Sequence, residues 1–108
     1  MFNEAALAEV TDEPALVVEG PFDALAYWPQ AVAVLGKPTE PQMLTLLRAV
    51  RPVVVVLDGD AWQEAEMLAW RLRFEGQRAG WVRLPPMVDP DEVDPAWLRE
   101  EARRAITR

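Results

Sequence analysis

Residues 53–60 read VVVVLDGD, and this stretch decides the fold. Its first five residues are all apolar, which is typical of a parallel strand covered by helices on both faces. The strand stops at an Asp-Gly-Asp turn, which places the carboxylates of Asp58 and Asp60 two residues apart. In an open parallel sheet, ligands bind at the carboxyl ends of the strands. We therefore predict a central strand of an α/β sheet with two acidic side chains at its functional end.

Three further apolar runs accompany this strand, at 15–18, 32–35 and 80–84. The last one alternates more between apolar and polar residues, which predicts a strand nearer an edge of the sheet. Four strands are therefore expected, with the run at 53–57 in the interior.

Segments with helical periodicity separate the apolar runs. Thr39 and the glutamine three residues later form a capping box, which predicts a helix over about 40–50. A longer helix stops at Gly76, and Asp94 followed by proline opens a C-terminal helix. A short helix over 5–10 is expected near the amino terminus.

Alternating strands and helices predict the fold class. We expect an α/β domain with a roughly four-stranded parallel sheet flanked by helices, as in Rossmann-like folds. One domain is expected over 1–108, with a core over about 15–94 and a C-terminal helix over about 95–106.

Composition excludes several function classes. The 108 residues include no Cys and no His, so disulfide frameworks, thiolate nucleophiles, imidazole bases and the usual zinc sites are excluded. The amino terminus lacks the basic and apolar segments of a secretory signal, and no run of eighteen apolar residues occurs. These features predict a cytoplasmic protein without a membrane partner.

The charge distribution bears on nucleic-acid binding. The net charge is −7, and residues 1–47 carry seven acidic residues against one lysine, Lys37. Such a surface repels a phosphate backbone unless metal ions or a basic partner reverse the local field. We expect nucleic-acid binding that is weak and dependent on a divalent metal.

Acidic residues cluster at the predicted strand ends. Carboxylates without His or Cys favour Mg²⁺ or Mn²⁺, the hard ions that also bridge to substrate phosphates. The alternative is that these acids are helix N-caps, a role in which Asp is common. The candidate metal ligands are Glu19, Asp23, Asp58, Asp60, Asp89 and Asp91.

Four motifs in this order resemble the Toprim domain of bacterial and phage replicative primases. The resemblance covers about residues 15–94. The motifs are VEGPFDAL at 18–25, LG at 35–36 with TEPQ at 39–42, LDGD at 57–60, and LP at 84–85 with DPDE at 89–92.

The resemblance implies roles for the acidic residues. Glu19 matches the family glutamate, a catalytic residue thought to act in proton transfer or metal positioning. Asp58 and Asp60 match the aspartate pair that coordinates Mg²⁺. The three remaining acids, Asp23, Asp89 and Asp91, match those that complete the metal basin of the primase type.

The chain departs from the family pattern at two places. Lys37 stands where the family often has threonine, and it either contacts substrate phosphate weakly or is an ordinary loop lysine. Trp62 and Gln63 replace two small residues after the aspartate pair. The indole of Trp62 either covers the seam between helix and sheet, narrows access to the basin, or stacks on a base. The other four tryptophans are expected to cover helices or sheet rather than to form a base-stacking platform; they are Trp28, Trp70, Trp81 and Trp97.

The resemblance implies a domain that supports Mg²⁺-dependent nucleotidyl or phosphoryl transfer on nucleic acid within a replication or repair assembly. A full primase adds a zinc-binding segment and a basic domain that grips the template, so this sequence represents a stand-alone or an excised Toprim domain. Missing domains or a protein partner would supply that grip, and no primer synthesis is expected from the chain alone. The alternatives are a small Toprim nuclease acting on RNA or DNA and a non-catalytic interaction module.

Overall fold

A four-stranded parallel sheet forms the centre of the molecule. The computed structural model describes residues 1–107. The strands are β1 (Ala15–Val18), β2 (Ala31–Ala33), β3 (Val53–Val55) and β4 (Ala79–Trp81), arranged in the order β2-β1-β3-β4. All three neighbouring pairs are parallel. The predicted interior position of the 53–57 run and the outer position of the fourth strand are confirmed.

Four α-helices surround the sheet: α1 (Pro21–Ala26), α2 (Glu40–Leu47), α3 (Trp62–Phe74) and α4 (Pro95–Thr107). Short 3₁₀ helices occur at Glu4–Ala8, Gly59–Ala61 and Pro90–Glu92. The α/β fold class predicted from the sequence is confirmed.

Element boundaries differ from the sequence-based expectations in places. The predicted helix over 40–50 ends at Leu47, and the expected helix over 5–10 is a 3₁₀ helix over Glu4–Ala8. Helix α1 was not predicted, because six residues that begin with a proline are too few to show helical periodicity. The capping box of Thr39 is present, with its hydroxyl accepting the Gln42 N–H at 3.3 Å.

Both faces of the sheet are buried, as the unbroken valine run predicts. Every residue of β1 and β3 has no exposed surface. On one face, Val17 and Val55 pack in a core with α2 and α3, which contribute Leu46 and Leu72. On the other face, Leu16 and its neighbours pack against α1 and α4.

Helix α4 lies unusually close to β4. A Cβ atom on Gly80 would lie 2.7 Å from the carbonyl oxygen of Ala105 and 3.0 Å from its methyl group. Glycine at this position therefore lets the helix backbone approach the strand directly.

The amino end of the sheet is held by a buried arginine. Arg51 is 4% exposed and donates to the carbonyl oxygens of Ala6, Glu13 and Pro14 at 2.9 to 3.3 Å. It also pairs with Glu9 at 3.3 Å. Burial lowers the pKa of Arg51, and the neighbouring glutamates offset part of that effect. This network ties the first fourteen residues to the loop before β3.

The amino terminus also pairs with β2, one of the two outer strands. The N–H of Phe2 donates to the carbonyl oxygen of Ala33 at 2.9 Å, and the N–H of Ala33 donates back at the same distance. No helix within residues 1–107 combines the length and the apolar character needed to cross a bilayer.

Candidate metal centre

The acidic residues singled out in the sequence meet at the carboxyl edge of the sheet. Glu19 directly follows β1, and Asp58 and Asp60 follow the neighbouring strand β3. Burial and then the charge of Asp89 raise the pKa of Asp58 to about 6, with smaller contributions from Glu19 and Asp60. These effects require the four carboxylates to lie close together.

Asp23 joins this group from the first turn of α1. The pKa of the Asp23 carboxyl is raised to about 6, first by burial, then by the charge of Asp91, and to a smaller extent by Asp58 and Asp89. The backbone N–H of Asp91 donates to the Asp23 carboxylate, which lowers this pKa in part. The structure thus places all six candidate ligands at one edge. Within residues 1–107, however, the acidic group whose ligand oxygens all lie within 4.8 Å of one another is Asp89, Asp91 and Glu92, and it does not include Glu19, Asp23, Asp58 or Asp60.

Helix capping does not account for the aspartate pair. Among the described residues, neither Asp58 nor Asp60 accepts a hydrogen bond from the first turn of α3. Asp94, by contrast, caps α4 as expected, because its carboxylate accepts the N–H of Ala96 at 3.0 Å. The capping explanation therefore holds for Asp94 and not for the pair after β3.

Gly59 fixes the turn between the two aspartates. A Cβ atom there would overlap the carbonyl oxygen of Pro85 and lie 2.7 Å from its carbonyl carbon. The N–H of Gly59 also donates to the carbonyl oxygen of Val88 at 3.0 Å. This close approach of two backbones holds the turn after β3 against the loop that carries Asp89.

Tyr27 is a site-supporting residue that the sequence did not reveal. Its ring is fully buried, and its hydroxyl donates to the carbonyl oxygen of Pro90 at 2.8 Å. Burial raises the pKa of the Tyr27 phenol, so it remains a donor at neutral pH. The bond links the end of α1 to the loop between Asp89 and Asp91. A single tyrosine after a short helix carries no sequence signal for such a contact.

Glu92 is a second residue that sequence reasoning left out. Carboxylate oxygens of Asp89, Asp91 and Glu92 all lie within 4.8 Å of one another at the surface. One oxygen of Glu92 also accepts the N–H of Asp89 at 2.8 Å. The DPDE motif contains Glu92, so the signal was present in the sequence.

The carboxylates at this edge have no ion-pair partner in the part of the chain that the structure describes. Within residues 1–107, no lysine or arginine forms an ion pair with Glu19, Asp23 or any of the four aspartates grouped with them. Lys37 lines a cleft of about 210 Å³ together with Glu19 and Glu64. Oxygen ligands held together without a counter-charge suit a hard divalent cation.

Trp62 lies beside this edge and contacts Trp81 on β4 and Arg83, which follows β4. Its ring lies 6.2 Å from the Trp81 ring, with the two planes inclined by 22°, and the Arg83 guanidinium lies 4.1 Å above it. The half-buried indole therefore covers the seam between α3 and the sheet, which is the first of the three interpretations of Trp62 given above. The expectation that the other tryptophans cover helices or sheet is wrong for Trp28, Trp70 and Trp97, which are 51%, 58% and 41% exposed.

Comparison with known proteins identifies the family. The model of the family described as Toprim-like matches residues 16–94. A crystal structure of the Aquifex aeolicus primase, comprising its zinc-binding and RNA polymerase domains, matches with a TM-score of 0.67 and 32% sequence identity. That match covers 98% of this chain and 28% of the primase chain. No curated protein sequence matches the chain. The chain therefore belongs to the Toprim-like family, as a Toprim domain of the primase type.

Proposed function

We propose that this domain supports Mg²⁺- or Mn²⁺-dependent nucleotidyl or phosphoryl transfer on nucleic acid, within a cytoplasmic replication or repair assembly. One observation carries the proposal: six carboxylates gather at the carboxyl edge of the sheet with no ion-pair partner among residues 1–107. Mutual repulsion among them disfavours the fully ionised site until a cation binds.

The acidic residues and Lys37 would have different roles, according to their positions. Asp58 and Asp60 would be the principal ligands of the ion, with Asp23, Asp89 and Asp91 completing its surroundings. When bound, the ion would neutralise phosphate charge and activate an oxygen nucleophile. Glu19 lies at the end of β1, beside Asp58, where its carboxylate would accept or return a proton. Lys37 lines the same cleft as Glu19 and would contact a substrate phosphate weakly.

The part of the assembly that binds the template strand would lie outside this domain. The chain spans 28% of the length of the primase chain that it matches. We propose that residues 1–108 act as one domain, with a core over about 15–94 and a C-terminal helix over about 95–106. Further domains or a partner protein would hold the template, because the net charge of −7 opposes unaided binding. The isolated chain would then make no primers.

A thermal melt with and without metal tests the site. Millimolar Mg²⁺ or Mn²⁺ should raise the melting temperature, because an ion that binds only the folded state stabilises it by RT ln(1 + [L]/Kd), about 2.7 kcal/mol at a hundredfold excess over Kd. Asp58→Asn and Asp60→Asn should leave the metal-free protein at least as stable and shrink the metal-induced shift. Asp12→Asn removes the same charge from an exposed residue near the amino end of the sheet, and serves as the control.

Equal metal-induced shifts in the wild type and all three variants would rule out the site. Incubation of the metal-loaded protein with single-stranded and structured nucleic acid separates the other functions. Cleavage that disappears in Asp60→Asn would establish a nuclease. Metal binding without any chemistry, even after template, nucleotides and the remaining replication proteins are added, would establish an interaction module.

A further inference from the structure

We infer that Arg83, whose guanidinium lies over the ring of Trp62, is a stacking platform for a base of a single-stranded nucleic acid. The inference rests on the proposed function, because it supplies the contact that would bring a strand to the carboxylate edge. It concerns Arg83 and Trp62, which lie outside the acidic cluster. Trp62 is also one of the residues that depart from the family pattern.

The guanidinium of Arg83 is positioned by aromatic packing. It lies 4.1 Å above the ring of Trp62, a distance at which the planar group rests on the indole. Trp81 packs against Trp62 in turn, with its ring 6.2 Å away. Both tryptophans are half-buried, whereas Arg83 is exposed. The support is therefore fixed, and the other plane of the guanidinium is open to solvent.

Arg83 differs from Arg71 and Arg73 in having no competing side-chain partner. Arg71 pairs with Glu40 at 2.8 Å. Arg73 donates to the carbonyl oxygens of Ala79 and Ala105. Within residues 1–107, Arg83 forms no ion pair and no side-chain hydrogen bond. Its charge and its hydrogen-bond donors are free for a ligand.

The platform lies next to the carboxylate edge. Trp62 opens α3 two residues after Asp60. Arg83 lies two residues before Pro85, whose carbonyl group touches Gly59 between the two aspartates. A strand resting on Arg83 would therefore continue towards Asp60. Beside the platform lies a cavity of about 310 Å³, lined by Trp81, Arg73 and Arg83 itself and also by the acidic residue Glu101.

The chemistry of the platform selects unpaired bases. Arginine planes and aromatic rings stack on the faces of splayed-out bases, and this stacking tolerates any sequence. A duplex hides those faces. An acidic protein also needs a local positive charge where a polyanion first approaches, and Arg83 supplies it. Single-stranded DNA and RNA share this chemistry.

Fluorescence anisotropy of labelled oligothymidine or oligouridine, titrated with protein in Mn²⁺, tests the inference. Arg83→Gln should weaken binding roughly tenfold, the effect of losing one stacked base. Arg83→Lys should keep the salt dependence but lose most of that affinity, because an ammonium group has no stacking plane. Arg78→Gln is the matched control, since it removes an equal charge from an exposed residue that precedes β4 at the opposite edge of the sheet.

The outcomes separate this inference from the proposed function. A metal-induced rise in melting temperature, measured on the same samples, should be equal in wild type and Arg83→Gln. If that rise is present but Arg83→Gln binds the oligonucleotide as well as Arg78→Gln does, the platform is wrong and the metal site stands. Equal affinity for a duplex, or no binding of either oligonucleotide, also overturns the platform. Absence of the metal-induced rise in the wild type overturns the proposed function instead.

Discussion

Gly59 shows how a single missing side chain shapes the candidate metal centre. The sequence shows the Asp-Gly-Asp turn but not the reason for its glycine. In the structure, the backbone of Gly59 lies against the Pro85 carbonyl. Sequence alone could not identify this partner, because the contact joins loops that are 26 residues apart.

Gly59→Ala should destabilise the protein by about 1 to 3 kcal/mol, the usual cost of forcing extra atoms into a packed region. The measurement is urea unfolding of the metal-free protein. Gly20→Ala is the control, because a Cβ atom there would make only an ordinary contact of 3.6 Å with Asp23. Equal stability of the two variants would show that the loop after β4 moves aside without cost.

At the scale of elements, the strands were predicted well and the connections poorly. The unbroken valine run of β3 predicts its interior position correctly. The interior position of β1 was not predicted, because the outer strand β2 is equally buried. Helix α1 and the 3₁₀ turn Pro90–Glu92 are short and take their shape from tertiary contacts such as the Tyr27 bond to Pro90. The six acids were found because each follows a strand or lies in a motif, whereas Tyr27 has neither mark.

Tyr27→Phe should test how firmly these two elements are joined. The variant keeps the buried ring and removes the hydroxyl that donates to Pro90, so a buried carbonyl loses its partner at a cost of about 1 to 3 kcal/mol. The loop carrying Asp89 and Asp91 should loosen, and the metal-induced rise in melting temperature should shrink. Calorimetry with and without Mn²⁺ measures both effects. Unchanged melting in both conditions would mean that the bond contributes nothing.

At the scale of the whole molecule, the acidic edge couples folding to pH. The pKa values of Asp23 and Asp58 are raised to about 6 in the folded protein, from 3.8 for an ordinary Asp. The folded state therefore binds protons more tightly than the unfolded state between these values, and protonation favours folding. The contribution of these two groups to stability should increase as pH falls through 6 towards 4, and it should be lost above 6.

Urea unfolding in EDTA at pH 7 and pH 5 measures this dependence. Between pH 7 and pH 5, protonation of Asp23 and Asp58 should add to the free energy of unfolding of the wild type, beyond the change caused by its other acidic residues. Asp58→Asn should show a smaller addition. Asp12→Asn should behave as the wild type does. Metal affinity should change in the opposite direction and weaken as pH falls through 6, because protons and the cation compete for the same oxygens. A pH dependence identical in all three proteins would contradict the clustering of the carboxylates.

The pairing of Phe2 with Ala33 has a consequence for behaviour at high concentration. An outer strand with free N–H and C=O groups is a template on which another chain can add, which leads to aggregation. Residue 2 occupies two of those groups on β2, and Asn3 takes the carbonyl oxygen of Ala31 at 2.8 Å. The amino terminus thus shields the edge from intermolecular pairing. Deleting residues 1–3 should leave the sheet intact yet make the protein aggregate at concentrations where the full chain stays monodisperse by light scattering.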